Sequence, residues 1–152
     1  DGWGKARQFA LEALEITRQS DLEELRGRIL NNLGHASERL GRGEEARRAY
    51  LEALHLSHRA GDLQNEARTA HNLARLISDD DPEEALVCAE HARRLLAKVG
   101  LPYVDEARKQ VDAICSTLGD DTSDTVSDDF DHRLERLLER AGGGEFPDGI
   151  GQ

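Results

Sequence analysis

The stretch from Arg28 to His58, RILNNLGHASERLGRGEEARRAYLEALHLSH, constrains the fold more than any other part of the chain. Leu30, Leu33 and Leu40 recur at helical spacing, Gly41-Arg42-Gly43 breaks the pattern, and Ala46, Tyr50, Ala53 and Leu54 form one apolar stripe on a second helix. This is one complete helical hairpin, and its neighbours are copies of it. Ala6, Ala46 and Ala85 stand 40 and 39 positions apart, and Arg28, Arg68 and Arg108 are 40 apart at each step. A repeat of about forty residues predicts a stack of helix pairs in which each pair buries its apolar face on the next, with no separate central core.

The details of the hairpin resemble the tetratricopeptide repeat. Leu33-Gly34 lies in the first helix, Gly41 at the turn, and Ala46, aromatic Tyr50 and Ala53-Leu54 in the second. The usual unit is about 34 residues, so this chain is similar to the long-repeat variants found in Pins-type spindle adaptors and in bacterial regulatory and conflict-system proteins. The resemblance covers residues 1 to about 118. It implies an all-α, right-handed α-solenoid of antiparallel helix pairs, with a C-terminal amphipathic capping or docking helix to complete it.

Taken in order, the chain divides into a solenoid over 1–119, an acidic linker at 120–129, an amphipathic helix at 130–141 and a Gly-rich tail at 142–152. Within the solenoid we expect a partial first repeat at 1–20, repeats at 21–60 and 61–100, and a final helix at 101–119. Residues 3–18 match the second helix of a repeat: Trp3 precedes Ala6, Phe9, Ala10, Ala13 and Leu14, at the spacings seen around Ala46, and the first-helix partner is missing. The open face is expected to be covered by a second copy or by the tail helix. Ser20 with Glu23 reads as a capping box opening the next helix, and Asp81-Pro82-Glu83-Glu84 as a second helix start. DDTSDTVSDD has no useful apolar period and reads as flexible. Phe130, Leu134, Leu137, Leu138 and Ala141 make a stripe too short to persist alone, so it should dock, either at the end of the helix 103–118 or in the concave groove.

Charge narrows the partners. The chain has 31 acidic and 20 basic side chains, a net of −11, which disfavours direct binding to nucleic acid or to an anionic membrane. Residues 119–152 hold 10 acidic and 3 basic groups, a net of −7, so the tail is the acidic part. Two cysteines, Cys88 and Cys115, make no disulfide framework, which suits a reducing, cytoplasmic setting. Only Lys5, Lys98 and Lys109 are lysine, a bias towards arginine that accompanies GC-rich bacterial sources. The chain lacks an initiator Met and opens inside a repeat, so we expect further chain before it.

The resemblance places first helices along a concave surface and directs the residues flanking Leu-Gly into it. Those positions are Arg28, Asn31, Asn32, His35 and Arg39, then Arg68, His71, Asn72 and Arg75, then Arg108 and Asp112. The Asn before Leu, at Asn32 and Asn72, and the Arg four residues earlier, at Arg28 and Arg68, resemble the peptide-contacting positions of the long-repeat adaptors. In the third repeat Asp112 replaces Asn, and a chaperone-type carboxylate clamp matches only at Asn32 and Arg68. Rows of guanidinium groups suit carboxylates, and Asn pairs with both peptide N–H and C=O. The ten residues other than Asp112 are therefore expected to bind an acidic or extended peptide, which the protein's own tail would imitate. The bland alternative is a solvated helix face; repetition in register favours the groove.

Chemistry is not expected. No Ser, Cys or Thr stands in a nucleophile elbow, and the glycines at 142–144 lack the Lys and hydroxyl residue of a phosphate loop. His55 with His58, and Cys88 with His91, are three apart on single helices, but neither pair has a third ligand in sequence, so structural roles are expected and neither metal nor cofactor. The leading reading is a scaffold or sensor module that recognises a protein segment. The alternatives are repeats that position or restrain an attached catalytic domain, or a regulator with an attached DNA-binding domain.

Overall fold

A computed structural model describes residues 2–142; the expected Gly-rich tail, apart from Gly142, lies outside the described residues. The described residues form helices α1 (Gly2–Thr17), α2 (Glu23–Arg39), α3 (Gly43–Ala60), α4 (Leu63–Ile77), α5 (Pro82–Val99), α6 (Val104–Leu118), α7 (Asp120–Asp128) and α8 (Phe130–Gly142), and no strand occurs among them. From α1 to α6 each helix packs on the next, and α2 also touches α4. This is the α-solenoid expected from the repeat. The long period is taken up by long helices: α2 and α3 have 17 and 18 residues, α4 and α5 have 15 and 18.

Short, well-capped turns hold the pairs. Gly61 adopts a left-handed conformation (φ 70°), and the amides of Asp62 and Gly61 donate to Ser57 O and His58 O, closing α3 as a Schellman motif that a residue with Cβ would strain. Asp62 Oδ1 then accepts from the amide of Asn65, and Asp81 Oδ1 from that of Glu84, with Pro82 in the first turn. The expected cap at Ser20 is not made. Its hydroxyl donates to Thr17 O (2.7 Å), where it satisfies the end of α1, and Leu22 stands at the N-cap position of α2, which has no side-chain cap.

Apolar residues gather in the seams. Ala10, Leu30, Leu33, Ala49 and Ala53 fill the space among α1, α2 and α3. The larger cluster runs from Tyr50 and Leu54 through Leu73, Ile77, Leu86 and Val87 to Ile114, Val126, Phe130 and Leu137. At the centre of the 23–60 hairpin a Cβ on Gly34 would stand 2.6 Å from the Tyr50 ring, so the helices cross at a distance only glycine permits. Tyr50 is wholly buried and its hydroxyl donates to Glu38 Oε2 (3.0 Å).

Two expectations about the C-terminal region are corrected. The acidic segment is no linker: residues 120–128 form α7, which buries Ser123 and Val126, three apart on one face, against α5 and α6. Its carboxylates remain in water, with Asp120 and Asp121 in the first turn, where the helix dipole favours them. Helix α8 lies neither on α6 nor in the groove; it packs across α3 and α5, the second helices of their pairs. Leu137 and Phe130 enter the main cluster, Arg94 sits over the Phe130 ring at 4.0 Å, and His55 Nδ1 donates to Leu138 O (3.3 Å).

Candidate functional site

The first helices α2, α4 and α6 carry all ten candidate residues. Spacings of three, four and seven put Arg28, Asn31, Asn32, His35 and Arg39 on one side of α2, and Arg68, His71, Asn72 and Arg75 on one side of α4. The fold joins some of them directly. Asn31 is buried, and its Oδ1 accepts from Thr69 Oγ1 (3.1 Å) and Asn72 Nδ2 (3.3 Å), so Asn31 and Asn72 brace α2 against α4. His71 O accepts from Gln110 Nε2 (3.1 Å), which ties α4 to α6. Burial, the largest influence on the His71 ring, pulls its pKa down and leaves it neutral at neutral pH.

Most of the arginines already have carboxylate partners. Arg75 forks onto Glu38 at 2.5 and 3.0 Å, and Arg28 reaches Asp62 (2.8 Å) and Glu24 (2.7 Å). Arg108 stands 3.8 Å from Asp105 on its own helix, and Arg68 donates to Asn65 Oδ1 (2.8 Å). Arg39 lies 5.2 Å from the Trp3 ring centroid, and the Trp3 ring meets His35 edge-on at 5.1 Å. The exposed set is Arg28, Asn32, His35, Arg39, Arg68, Arg75 and Arg108; His71 and Asn72 are half-buried.

Sequence reasoning missed the acidic and aromatic residues of this face, Glu38 and Trp3, and the cross-repeat donors Thr69 and Gln110. It also missed a buried polar node behind the groove. Glu66, 1% exposed, accepts at Oε1 from His58 Nδ1 (2.8 Å) and His91 Nε2 (2.7 Å). The partners run between helices, not within them, so the pairs His55 with His58 and Cys88 with His91 are not the ones the fold makes. Cys88 is instead a packing residue whose thiol burial pushes up and keeps protonated.

Burial works against the Glu66 charge, but the hydrogen bonds from His91 and His58 outweigh it and hold the carboxyl below its ordinary range. Glu45 is lowered too, first by its hydrogen bond from Arg7. Near pH 4 the unfolded chain therefore binds more protons than the folded one. This stability is complete above the unfolded carboxyl value of about 4.3 and is lost as pH falls through the lower folded values. We expect urea midpoints to hold steady from neutrality to about pH 5 and to fall steeply below about pH 4. Glu66→Gln should flatten that fall, and an identical acid limb in the variant would show that other carboxylates carry it.

Comparison with known proteins places this geometry. The tetratricopeptide repeat profile matches residues 25–98. The crystal structure of BtubC (BKLC) from P. vanneervenii superposes with a TM-score of 0.65 at 23% identity, over 99% of this chain and 61% of that one. The chain thus spans less than two thirds of that neighbour, and the likeness is one of fold. Among curated proteins none matches. No described helix is long and apolar enough to cross a membrane.

Proposed function

Through residues 25–98 the chain belongs to the tetratricopeptide repeat family, a protein-interaction fold that is in general non-catalytic, and from that premise we propose that α2 and α4 bind an acidic, extended peptide as the recognition part of a larger assembly. The observation that carries this reading is that Asn32 and Arg68 stand exposed on neighbouring first helices, beside an Asn31–Asn72 bridge that fixes their relative height. Asn32 supplies amide donor and acceptor for a peptide backbone, and Arg68 and Arg39 supply guanidinium groups for its carboxylates. Arg28 and Arg75 join by exchanging Asp62 and Glu38 for ligand carboxylates. Both guanidinium groups are about half open to water, so solvent screens these pairs and the arginines can turn to a ligand.

A display library of acidic peptides, screened against the chain and followed by titration of the best binder, tests the proposal. Changing Arg28, Asn32, Arg68 and Asn72 together to Ala should abolish binding with helical content intact. Charge-assisted hydrogen bonds are worth roughly 1.5–3 kcal/mol each, so losing two weakens binding about a hundredfold or more. Because Asn72 also braces Asn31, the pair Asn32→Ala with Arg68→Ala is the cleaner variant. Undiminished affinity in both variants would move recognition off this face.

We further assign the outer face of α1 to self-association. Phe9 and Ile16 are 65% and 82% exposed there, and α8 leaves them uncovered. The chain should sediment as a dimer at high micromolar concentration, and Phe9→Ser with Ile16→Ser should return it to monomer. A native chain that stays monomeric throughout rules the contact out.

A further inference from the structure

The node behind the groove gathers one donor from each of three consecutive helices: His58 from the last turn of α3, Glu66 from the first turns of α4, and His91 from the middle of α5. The two ring nitrogens and Glu66 Oε1 all lie within 4.8 Å of one another. We propose that these residues bind a divalent transition-metal ion of the zinc class, with His58 Nδ1, His91 Nε2 and a Glu66 carboxylate oxygen as protein ligands and water completing the shell.

The donor set selects the kind of ion. Two imidazoles and a carboxylate suit zinc, cobalt or nickel, whereas calcium and magnesium favour all-oxygen shells. The distances suit it as well. Donors about 2.0–2.2 Å from a tetrahedral ion stand about 3.3 Å apart, so the hydrogen-bond separations of 2.7 and 2.8 Å would open by about half an ångström while the two ring nitrogens, within 4.8 Å of each other, settle to the same spacing. His58 can supply that movement, because its side chain is 51% exposed and it sits at a helix end, while Glu66 and His91 are held by burial. The same exposure gives the ion and its water a way in.

Binding exchanges hydrogen bonds for coordination. Each imidazole gives up the N–H it donates to Glu66 and turns the freed lone pair to the ion; in a neutral ring that proton moves through water to the other nitrogen, Nε2 of His58 and Nδ1 of His91. Any proton carried by an imidazolium is released to water. The buried carboxylate gains a cation in place of two N–H donors. Because the ligands come from α3, α4 and α5, the ion joins two helix interfaces at once, and it must stabilise the folded chain over the unfolded one.

The test uses the full chain stripped of metal with a chelator, titrated with zinc by calorimetry and with cobalt as the spectroscopic stand-in. Expected are one equivalent bound with micromolar or tighter affinity, visible cobalt bands of low-coordinate geometry, and a Tm raised by several degrees in zinc. His58→Gln keeps a hydrogen-bond donor on an exposed side chain, so it folds, and it should weaken zinc by about tenfold or more. His91→Gln should do the same, while His55→Gln and His71→Gln leave binding unchanged. Two results overturn the proposal: no saturable single site, or zinc affinity in His58→Gln equal to that of the native chain. Either would leave the three residues as a hydrogen-bonded clamp.

Discussion

Replacing Tyr50 by Ala should lower the free energy of unfolding by about 3–5 kcal/mol, the range for removing a buried aromatic ring. Tyr50 lies in the seam where α2 meets α3, wholly buried, with Leu54, Leu73 and Ile77 in the same cluster. Burial, and after it the Glu38 carboxylate, push the phenol pKa up, so the hydroxyl stays a donor to Glu38. Losing the ring leaves a cavity and takes one partner from the Glu38–Arg75 fork. The face of the ring is set by Gly34, which makes the two positions a coupled pair. Gly34→Ala alone should cost about 1–3 kcal/mol through overpacking, offset by up to about 1 kcal/mol of helix propensity. In a Tyr50→Leu background the clash is gone, and Gly34→Ala should become neutral or stabilising. Guanidinium denaturation of the four chains measures this coupling, and simple additivity would show that Gly34 is not there to admit the ring.

Ending the chain at Gly119 should cost several kcal/mol of stability and leave affinity for acidic peptides unchanged. Helices α7 and α8 bury Val126, Phe130 and Leu137, each contributing about 1.5–3 kcal/mol before the entropy of ordering the tail is set against it. Their removal also uncovers Ile114, Leu86 and Val87. The ion pairs of the tail, Arg133 with Glu83 at 2.9 Å and Arg140 with Glu84, each keep one partner open to water and add little beside the apolar burial, so the loss should depend weakly on salt. Leu137→Asp in the intact chain should reproduce most of the effect. A rise in peptide affinity on truncation would instead place the tail in the groove, and an unchanged Tm would show that α8 does not hold.

The parts of this fold that could be read directly are those fixed by neighbours in sequence or by the period. Ala46, Tyr50, Ala53 and Leu54 announce a buried stripe, and Leu33-Gly34 announces the close crossing that receives it. A further signal was present and went unread. Arg7 pairs with Glu45 and Arg47 with Glu84, separations of 38 and 37, so charges spaced by the repeat tie successive second helices together. Arg75 with Glu38 and Asn72 with Asn31, at 37 and 41, do the same along the groove. That is why a face read as a row of open arginines proved to be partly self-neutralised.

What stayed hidden depends on contacts that no local pattern encodes. DDTSDTVSDD looks soluble throughout, because the one apolar residue that makes it a helix, Val126, finds its partners on α5 and α6. The stripe of α8 was legible, but its berth on α3 and α5 was not, since α6 offered a similar surface closer in the chain. His58, Glu66 and His91 stand 8 and 25 residues apart and meet only because three helices stack.

Helix α8 changes the mechanics of the stack. A solenoid whose units touch only their neighbours behaves as a spring, able to tighten or open its curvature by small rotations at each joint. By lying across both α3 and α5, α8 fastens two units together along the outer side, as a batten stiffens a hinge. Opening the groove at this joint would draw the backs of α3 and α5 together against the inserted Leu137 and Phe130; closing it would pull them off the strap. The segment from α3 to α5 is thereby a stiff block, and among the described residues no helix straps the joint between α1 and α2 in the same way.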